Sequence, residues 1–275
     1  IEPSKETFVR SVEEIQSLIA QNDVKQVNIS LRQSADVTLA PLDLYRSLRS
    51  LNPSPYMGWM KTPFLDIVSG SPELLLRKRG RTITTRPIGG TAARGETEQL
   101  DARQKASLQS SQKDMTEHEM LVALECDDFR QVCEPSSVGV TASQVIETYS
   151  HVFHIVSEVE GTLREDVSLA EWVRAIFPGG SITGDPKVPT IEIIERLETV
   201  RRGLYTGSIG WIGFNGDVEW NILIRTALLH EGKMYVQAGA GITLDSDPSA
   251  EFEESLTKGR ALWEASHRVK EASLK

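Results

Sequence analysis

Apolar residues recur at helical spacing between Lys5 and Ala20, and the segment that follows, VKQVNISL, alternates apolar and polar residues. The chain is therefore predicted to open with a helix followed by a strand. Three short segments rich in strand-forming residues come next, namely PFLDIVSG, ELLLRK and TITTRPI. Because turn residues separate them, the pattern predicts an antiparallel meander. A polar stretch over residues 92–109 is predicted to cross over to the next element.

The middle of the chain predicts two helices and a strand. The helices are predicted over residues 112–128 and 186–198, and the strand over residues 154–160. The second helix is predicted to begin with Asp185 as its N-cap and Pro186 as its first residue. Both residue types suit this place, since one accepts from exposed N–H groups and the other has a fixed φ.

Strands dominate the C-terminal part of the chain. SIGWIGF, VEWNILIRTALLH and MYVQAGAGIT predict three strands, and NGD and EGK are typical of tight turns between them. A helix is then predicted to begin at Asp247-Pro248 and to run to about residue 272. Since no internal repeat or low-complexity linker interrupts the chain, residues 1–275 are predicted to form a single α+β domain rich in antiparallel sheet.

Composition narrows the classes of function. Hydrophobic residues make up 39% of the chain, and no stretch approaches the ~20 consecutive apolar residues of a membrane span. A formal charge of -9 disfavours nucleic acid as a partner, because nucleic-acid-binding proteins usually carry a basic surface that neutralises phosphates. Cys126 and Cys133 lack the paired spacing of a zinc site and are typical of reduced thiols. We therefore expect a cytoplasmic protein that binds neither membranes nor nucleic acid.

Two helices carry pairs of carboxylates one turn apart. Glu251 and Glu254 share one face of the final helix with Lys258, and Asp114 and Glu117 repeat the same spacing on the helix that begins near residue 112. Oxygen ligands without His or Cys suit Mg²⁺, which usually takes one or two carboxylates together with waters and an anionic substrate. An ordinary solvated helix face would show the same spacing, so the residues alone leave both interpretations open.

Two glycine-rich segments are candidates for binding an anion. FPGGSITGDPK combines glycines and hydroxyls with a helix N-terminus, and QAGAGIT would allow a ligand to approach the backbone closely. Neither segment has the spacing of a P-loop or a dinucleotide-binding fingerprint, so a nucleotide cofactor is not indicated. Arg225 interrupts an apolar strand, and its charge requires either a buried carboxylate or a substrate acid.

The order of motifs along the chain resembles one known family. These motifs are KQVNIS, NPSPYM, SGSPELL, TTRPIGGT, TEHEMLV, YSHVFHIVSEVEG, FPGGSITGDPK, RRGLYTGSIGW, IRTA, QAGAGI and DPSAEFEESLTKGRAL. Together they resemble the chorismate-binding domain of the chorismate-utilising enzymes, which include anthranilate synthase component I, aminodeoxychorismate synthase component I, isochorismate synthase and salicylate synthase. The resemblance implies a large sandwich of two packed antiparallel sheets with helices on the outside.

The resemblance also implies roles for acidic residues. Glu117 of TEHEM and Glu254 of EFEES match the positions that hold Mg²⁺, and Asp114 and Glu251 match positions that support the ion through water. The metal would bind the ring carboxylate of chorismate. Glu73 of SGSPE matches the general acid that protonates the departing C4 hydroxyl, a role that requires a raised pKa.

Further matches are implied around the substrate. Tyr205 and Arg225 match positions that bind the enolpyruvyl carboxylate, with help from the backbone of Gly239 and Gly241. The remaining matches to pocket positions are His154, Ser181, Thr91 and Lys258. His154 has an alternative interpretation as a hydrogen-bonded core histidine.

The resemblance bears on the nucleophile as well. Isochorismate and salicylate synthases carry a lysine that activates water at the position where this chain has Gln26. The difference favours ammonia over water as the nucleophile. A glutamine amidotransferase subunit would supply it, and the implied product is 4-amino-4-deoxychorismate. Gly89 stands where many aminodeoxychorismate synthases carry a nucleophilic lysine, so the covalent route is expected to be closed. Anthranilate synthesis with loss of pyruvate stays open, with isochorismate synthesis as a weaker alternative.

Some residues depart from the family pattern. Cys126 and Asp127 replace an Arg-Asn pair, and Asp185 in GDPK adds a negative charge beside a segment expected to bind an anion. Such a charge weakens the binding of an anionic substrate unless a neighbouring group neutralises it. A degenerate, non-catalytic member of the family is therefore a further alternative.

Overall fold

The computed structural model describes residues 1–273, which form helices and strands joined by turns and loops. The helices are α1 (Lys5–Ala20), α2 (Pro41–Leu51), α3 (Glu98–Ser110), α4 (Gln112–Arg130), α5 (Leu169–Ile176), α6 (Lys187–Leu197), α7 (Pro248–Lys258) and α8 (Arg260–Ser273). The strands are β1 (Gln26–Asp36), β2 (Tyr56–Lys61), β3 (Asp66–Ser71), β4 (Leu74–Arg79), β5 (Thr82–Arg86), β6 (Ile88–Ala93), β7 (Gly139–Thr148), β8 (Val152–Thr162), β9 (Gly184–Asp185), β10 (Gly210–Ile212), β11 (Val218–Asn221), β12 (Thr226–His230) and β13 (Lys233–Ile242).

The chain is divided into two compact units. The first unit consists of Ile1–Pro72, Ile182–Gly207 and the chain from Leu223 onward, and the second consists of Glu73–Ser181 and Ser208–Ile222. The chain therefore passes between the units several times, without a linker at any passage. The division was not predicted from the sequence, where a single domain over 1–275 is expected, and that expectation stays a prediction.

The first unit contains a sheet of strand order β2-β3-β12-β13-β1-β9, in which all pairs are antiparallel. Strand β1 shows why these elements pack together. Its alternate residues Val27, Ile29 and Leu31 are buried in one cluster with α1, α6, α7 and the apolar residues of β13, including Phe8 and Phe252. Because side chains alternate along a strand, Gln26, Asn28 and Ser30 of β1 face away from this cluster.

The second unit contains a sheet of strand order β10-β11-β4-β5-β8-β6, with β7 also paired to β8, and again all pairs are antiparallel. Helix α4 packs against β6 and β8 of this sheet. Leu108 of α3 is buried with Phe153 and Ile155 of β8. The predicted α+β class with two antiparallel sheets is thus confirmed.

Several local predictions are confirmed, including the helix over Lys5–Ala20 and the N-cap of α7, where the Asp247 carboxylate accepts from Ala250 N at 2.7 Å. Other elements differ from the prediction. The polar stretch after residue 97 forms helix α3, capped by Thr97, and the predicted final helix ends at Gly259 before α8 begins. Strand β7 was also missed. Mostly exposed elements such as α3 bury few residues, so their apolar periodicity is weak.

The predicted strand VEWNILIRTALLH was wrong. It divides into β11 and β12, which belong to different sheets, and Arg225 lies between them with a positive φ of 51°. The predicted meander was wrong for the same reason, since β3 belongs to one sheet and β4 and β5 to the other. Alternation within a strand shows which residues share a face, but it contains no information about the partner strand.

The N-cap predicted for α6 was also wrong. Pro186 occupies that position, and Asp185 lies in β9, where it pairs with Gln26 of β1. Among the described residues, no helix is long and apolar enough to cross a membrane.

Candidate functional site

Strands β1 and β13 bring Gln26 close to the glycines of QAGAGI. Asn28 is directly opposite Gly241 in the antiparallel register. A Cβ atom at Gly241 would overlap Gln26 Nε2, and one at Gly239 would overlap the backbone oxygen of Ile29. Glycine is therefore required at both positions, because the neighbouring groups occupy the space of a side chain.

Lys258 connects helix α7 to the same glycines. Its Nζ lies 2.7 Å from Glu254 Oε1 and donates to the backbone oxygen of Gly239 at 2.9 Å. Glu251 lies one helical turn before Glu254 and is 9% exposed. Four predicted site residues, Glu251, Glu254, Lys258 and Gly239, thus lie on α7 and β13, all of them within the first unit.

Arg225 and Tyr205 also belong to the first unit. The left-handed conformation of Arg225 is uncommon for a residue with a side chain, and it is fixed where Gly70 N donates to the Arg225 backbone oxygen at 2.9 Å. Burial raises the pKa of the Tyr205 hydroxyl, while the charges of Arg202 and Arg225 act in the opposite direction. Tyr205 therefore stays neutral and can serve as a hydrogen-bond donor to an anion.

A buried ion pair next to Tyr205 was missed by the sequence interpretation. Arg202 Nε and Nη2 donate to the Glu198 carboxylate at distances between 2.8 and 3.2 Å. Its Nη1 and Nη2 also donate at 2.7 Å to the backbone oxygens of Ile182 and Asn28 respectively. The guanidinium carbon lies 5.5 Å from the centre of the Tyr205 ring. Arg202 therefore links β1, the chain before β9 and the segment that carries Tyr205.

In the second unit, Ser181 Oγ donates to Glu73 Oε1 at 3.0 Å. Glu73 is 5% exposed, and its backbone oxygen accepts from Ile222 N at 3.1 Å. Ser181 lies in a short 3₁₀ turn, Gly180–Ile182, that follows α5. The structure thus brings together the predicted general acid and one predicted pocket residue, and it buries the acid as such a role requires.

Thr91 and His154 face each other across β6 and β8. Thr91 Oγ1 lies 2.9 Å from His154 Nδ1, and the ring of Tyr149 meets the His154 ring edge-on with centroids 5.6 Å apart. His154 is 6% exposed. The contact agrees with a pocket residue held in one orientation and also with the alternative of a hydrogen-bonded core histidine, so the role of His154 stays a prediction.

The second carboxylate pair lies at the start of α4. Ser111 caps this helix by accepting from Asp114 N at 3.3 Å, and Lys113 Nζ lies 3.8 Å from Glu117 Oε1. Each of the two carboxylate pairs offers only oxygen ligands, a donor set that fits Mg²⁺. In residues 1–273, no three His, Cys, Asp or Glu side chains form a group that could hold a metal ion. The magnesium assignment therefore stays a prediction.

A second missed residue, His118, follows directly after Glu117 and is fully buried. Its Nε2 lies 2.6 Å from Ser157 Oγ, and burial lowers the pKa of the imidazole to about 4. A Cβ atom at Gly89 would lie 2.5 Å from His118 Nδ1. The His118 ring therefore occupies the space that a side chain at position 89 would need.

The departures from the family pattern have local explanations. Lys25 Nζ lies 2.7 Å from Asp185 Oδ2, so the additional carboxylate is neutralised by a neighbour across the β1 and β9 pair. Cys126 and Cys133 are both free and buried, and burial raises the pKa of the Cys133 thiol to about 11. Asp127 forms an ion pair with Arg130 at 2.5 Å on the exposed side of α4.

Comparison with known proteins places the chain in a family. A family model described as a chorismate binding enzyme matches residues 1–264. The aminodeoxychorismate synthase component 1 of Bacillus subtilis (strain 168) is 47% identical over 262 residues, which are 95% of this chain and 56% of that protein. The anthranilate synthase component 1 1 of Haloarcula marismortui is 44% identical over 259 residues, which are 94% of this chain and 53% of that protein. The chain thus spans about half the length of these relatives.

A solved structure agrees with these relatives. The anthranilate synthase component I from Streptococcus pneumoniae TIGR4 matches with a TM-score of 0.87 and 35% sequence identity, covering 95% of this chain and 58% of that one. Sequence and fold both confirm the resemblance that the motifs indicated. The chain belongs to the family of chorismate binding enzymes.

Proposed function

We propose that this chain catalyses the amination of chorismate to 4-amino-4-deoxychorismate, with anthranilate synthesis as the second candidate. The observation that carries the proposal is the neutral amide of Gln26 on β1, which lies next to Gly241 of β13. By the resemblance, Gln26 occupies the position where the family members that activate water have a lysine. The adjacent Lys25 does not take over that role, because its ammonium group is paired with Asp185. Ammonia is itself a nucleophile and needs no strong base at this position.

The chain's own residues supply acid and binding groups. Glu73, buried and hydrogen-bonded to Ser181, is the proposed general acid that protonates the leaving hydroxyl of the ring. Tyr205 and Arg225 are the proposed partners of the enolpyruvyl carboxylate, because one offers a neutral hydroxyl and the other a cation. The backbone of Gly239 and Gly241 is proposed to help bind the same carboxylate, and both positions must be glycine because neighbouring groups of the chain fill the space of a side chain.

Further residues complete the proposed set. Lys258, Thr91 and His154 are proposed to line the substrate site, each held by a contact that fixes its orientation. Gln26 is proposed to face the nucleophile. A role in binding is supported by the burial of two of these polar residues, Gln26 and His154.

Mg²⁺ is the proposed cofactor. Glu117 and Glu254 are the proposed ligands, with Asp114 and Glu251 as supporting groups, since all four offer the carboxylate oxygens that this ion prefers. When bound, the ion would neutralise the ring carboxylate of chorismate and assist the departure of the hydroxyl. In this arrangement Lys258, which contacts Glu254 and Gly239, would fix the orientation of one ligand.

Anthranilate synthesis remains a candidate because of position 89. Gly89 provides no nucleophilic side chain, and His118 fills the adjacent space, so the covalent route through a lysine has no support. Direct addition of ammonia is common to both candidate reactions. They differ in whether the enolpyruvyl group is retained or lost as pyruvate.

The proposal includes a partner and a location. The relatives are named as component 1 of their enzymes, which supports a second component, and we propose a glutamine amidotransferase as the source of ammonia. The free thiols of Cys126 and Cys133 agree with a reducing cytoplasm.

The test is incubation of the purified chain with chorismate, MgCl₂ and ammonium chloride at several pH values, followed by mass spectrometry of the products. A product that contains one new nitrogen and retains the enolpyruvyl group would support the proposal. Anthranilate and pyruvate in its place would favour the second candidate. Absence of chorismate consumption at every pH would contradict both and favour a degenerate, non-catalytic chain.

A further inference from the structure

A row of polar side chains lies on the face of β1 opposite its apolar cluster. Gln26 and Asn28 are each 8% exposed, and Ser30 is 1% exposed. The Ser30 hydroxyl has hydrogen-bond partners, because its Oγ donates to Glu198 Oε1 at 2.7 Å and accepts from Gln237 Nε2 at 2.8 Å. Asn28 differs, since its buried Oδ1 has no hydrogen-bond partner within residues 1–273.

An unpaired carbonyl oxygen that is buried lowers the stability of a fold, and nearly all buried polar groups have partners for that reason. Groups that are unfavourable for stability concentrate where they act on a ligand. The amide of Asn28 is therefore better explained by a bound partner than by the folded chain alone.

The position of Asn28 indicates which partner. A Cβ atom at Gly239 would lie 3.0 Å from Asn28 Oδ1, just as one at Gly241 would meet Gln26 Nε2. Two residues of one strand face are roughly 7 Å apart. Asn28 thus presents a second amide beside Gln26, over the same pair of glycines.

We propose that Asn28 binds the nucleophile of the amination, with its Oδ1 accepting a hydrogen bond from an N–H of ammonia. This role rests on the proposed function. As the nitrogen lone pair forms a bond to the ring, the bond to the C4 hydroxyl breaks and the hydroxyl leaves as water with a proton from Glu73. The nitrogen, now positively charged, releases one proton to solvent.

A neutral acceptor suits this nucleophile. The single lone pair of ammonia must point at the ring, so the protein can hold the molecule only through acceptors for its N–H groups. Amide oxygens also stabilise the positive charge that develops on nitrogen during attack. A carboxylate in the same place would instead favour ammonium, which has no lone pair to donate.

The test compares Asn28→Leu with the wild-type chain and with Gln33→Leu, a control that makes the same kind of change on the opposite face of β1. Steady-state rates are measured with varied ammonium at fixed pH and with varied chorismate, and Tm is measured for each protein. We expect Asn28→Leu to raise the KM for ammonium about tenfold or more, the effect of one lost hydrogen bond to a developing charge. The KM for chorismate should stay within about twofold, and Tm should not fall, since an unpaired polar group has been replaced by an apolar one. Gln33→Leu should leave both KM values unchanged.

An unchanged KM for ammonium in Asn28→Leu would overturn the role of Asn28 while leaving the proposed function intact. A fall in Tm together with a rise in both KM values would also overturn it, because it would show that Asn28 stabilises the fold. If the wild-type chain does not turn over chorismate with ammonium, the proposed function fails first, and the role of Asn28 fails with it.

Discussion

At the scale of single residues, His118 limits which side chain can be placed at position 89 of the second unit. The His118 ring lies where a side chain at position 89 would extend, with its Nδ1 2.5 Å from the site of a Cβ atom. Introducing a lysine at position 89 would therefore not by itself create a covalent catalyst. The lysine would first have to displace a fully buried imidazole.

We expect Gly89→Lys to lower the free energy of unfolding by about 1–3 kcal/mol, the usual cost of overpacking a buried position. Urea denaturation provides the measurement. Gly58→Lys is the matched control, because a Cβ atom there would have no neighbour within 4 Å, and it should change stability little. Adding His118→Ala to Gly89→Lys should recover part of the loss. Equal stability of Gly89→Lys and the wild-type chain would contradict the steric account.

Single residues also show which parts of the candidate site could be predicted from the sequence. Glu73 and Ser181 were identified separately from motifs, and the structure shows that they contact each other. Asn28 was missed, although the alternation in QVNIS places it on the same face as Gln26, a signal that was present in the sequence. His118 gave no such signal, because its importance depends on contact with a residue distant in the chain.

At the scale of elements, the pair of Glu198 and Arg202 stabilises the junction between α6 and β1. The side chains are 4% and 14% exposed respectively, and Arg202 donates to the backbone oxygens of Ile182 and Asn28 as well as to Glu198. Removing one charge would leave the other buried without compensation.

We expect Glu198→Gln to lower the free energy of unfolding by about 3 kcal/mol, because the guanidinium of Arg202 would remain buried without its counter-ion. The control is Glu195→Gln on α6, whose side chain is 70% exposed and lies 3.9 Å from that of Arg201. The control should cost less than about 1 kcal/mol, as exposed pairs do. Equal losses of unfolding free energy for the two variants in urea denaturation would show that the buried pair stabilises the fold no more than the exposed pair does.

Elements were predictable where the physical signal is local. Helix α1 has a continuous apolar face, and α7 has the cap and the proline that begin a helix, so both were found. The passage of the chain from β11 to β12 could not be found, since the apolar pattern continues through Ile222, Leu223 and Ile224 while the sheet changes. The positive φ of Arg225 at this passage is set by tertiary contacts.

At the scale of the whole molecule, the candidate residues are divided between two compact units. The first carries Gln26, Tyr205, Arg225, Gly239, Gly241, Glu251, Glu254 and Lys258, and the second carries Glu73, Thr91, Asp114, Glu117, His154 and Ser181. Two of the second set, Glu73 and Ser181, are the residues at which the chain enters and leaves the longer segment of that unit. No composition change marks these passages, so the division was not predictable from the sequence.

The proposed magnesium ligands are central to the proposed function, and Glu254 is the one best suited to a test. Replacing it by glutamine keeps an oxygen that can accept from Lys258 Nζ, so the contact at 2.7 Å can persist while the charge is lost. Glu253→Gln is the matched control on the same helix, since the Glu253 side chain is 61% exposed and forms an ion pair with Lys5 at the surface.

The decisive measurement is the rate of chorismate amination as a function of Mg²⁺ concentration for the wild-type chain, Glu254→Gln and Glu253→Gln. We predict that the wild-type chain and Glu253→Gln saturate with Mg²⁺ alike, and that Glu254→Gln shows no turnover at any concentration. Wild-type rates in Glu254→Gln at limiting Mg²⁺ would contradict the assignment of this carboxylate to the metal.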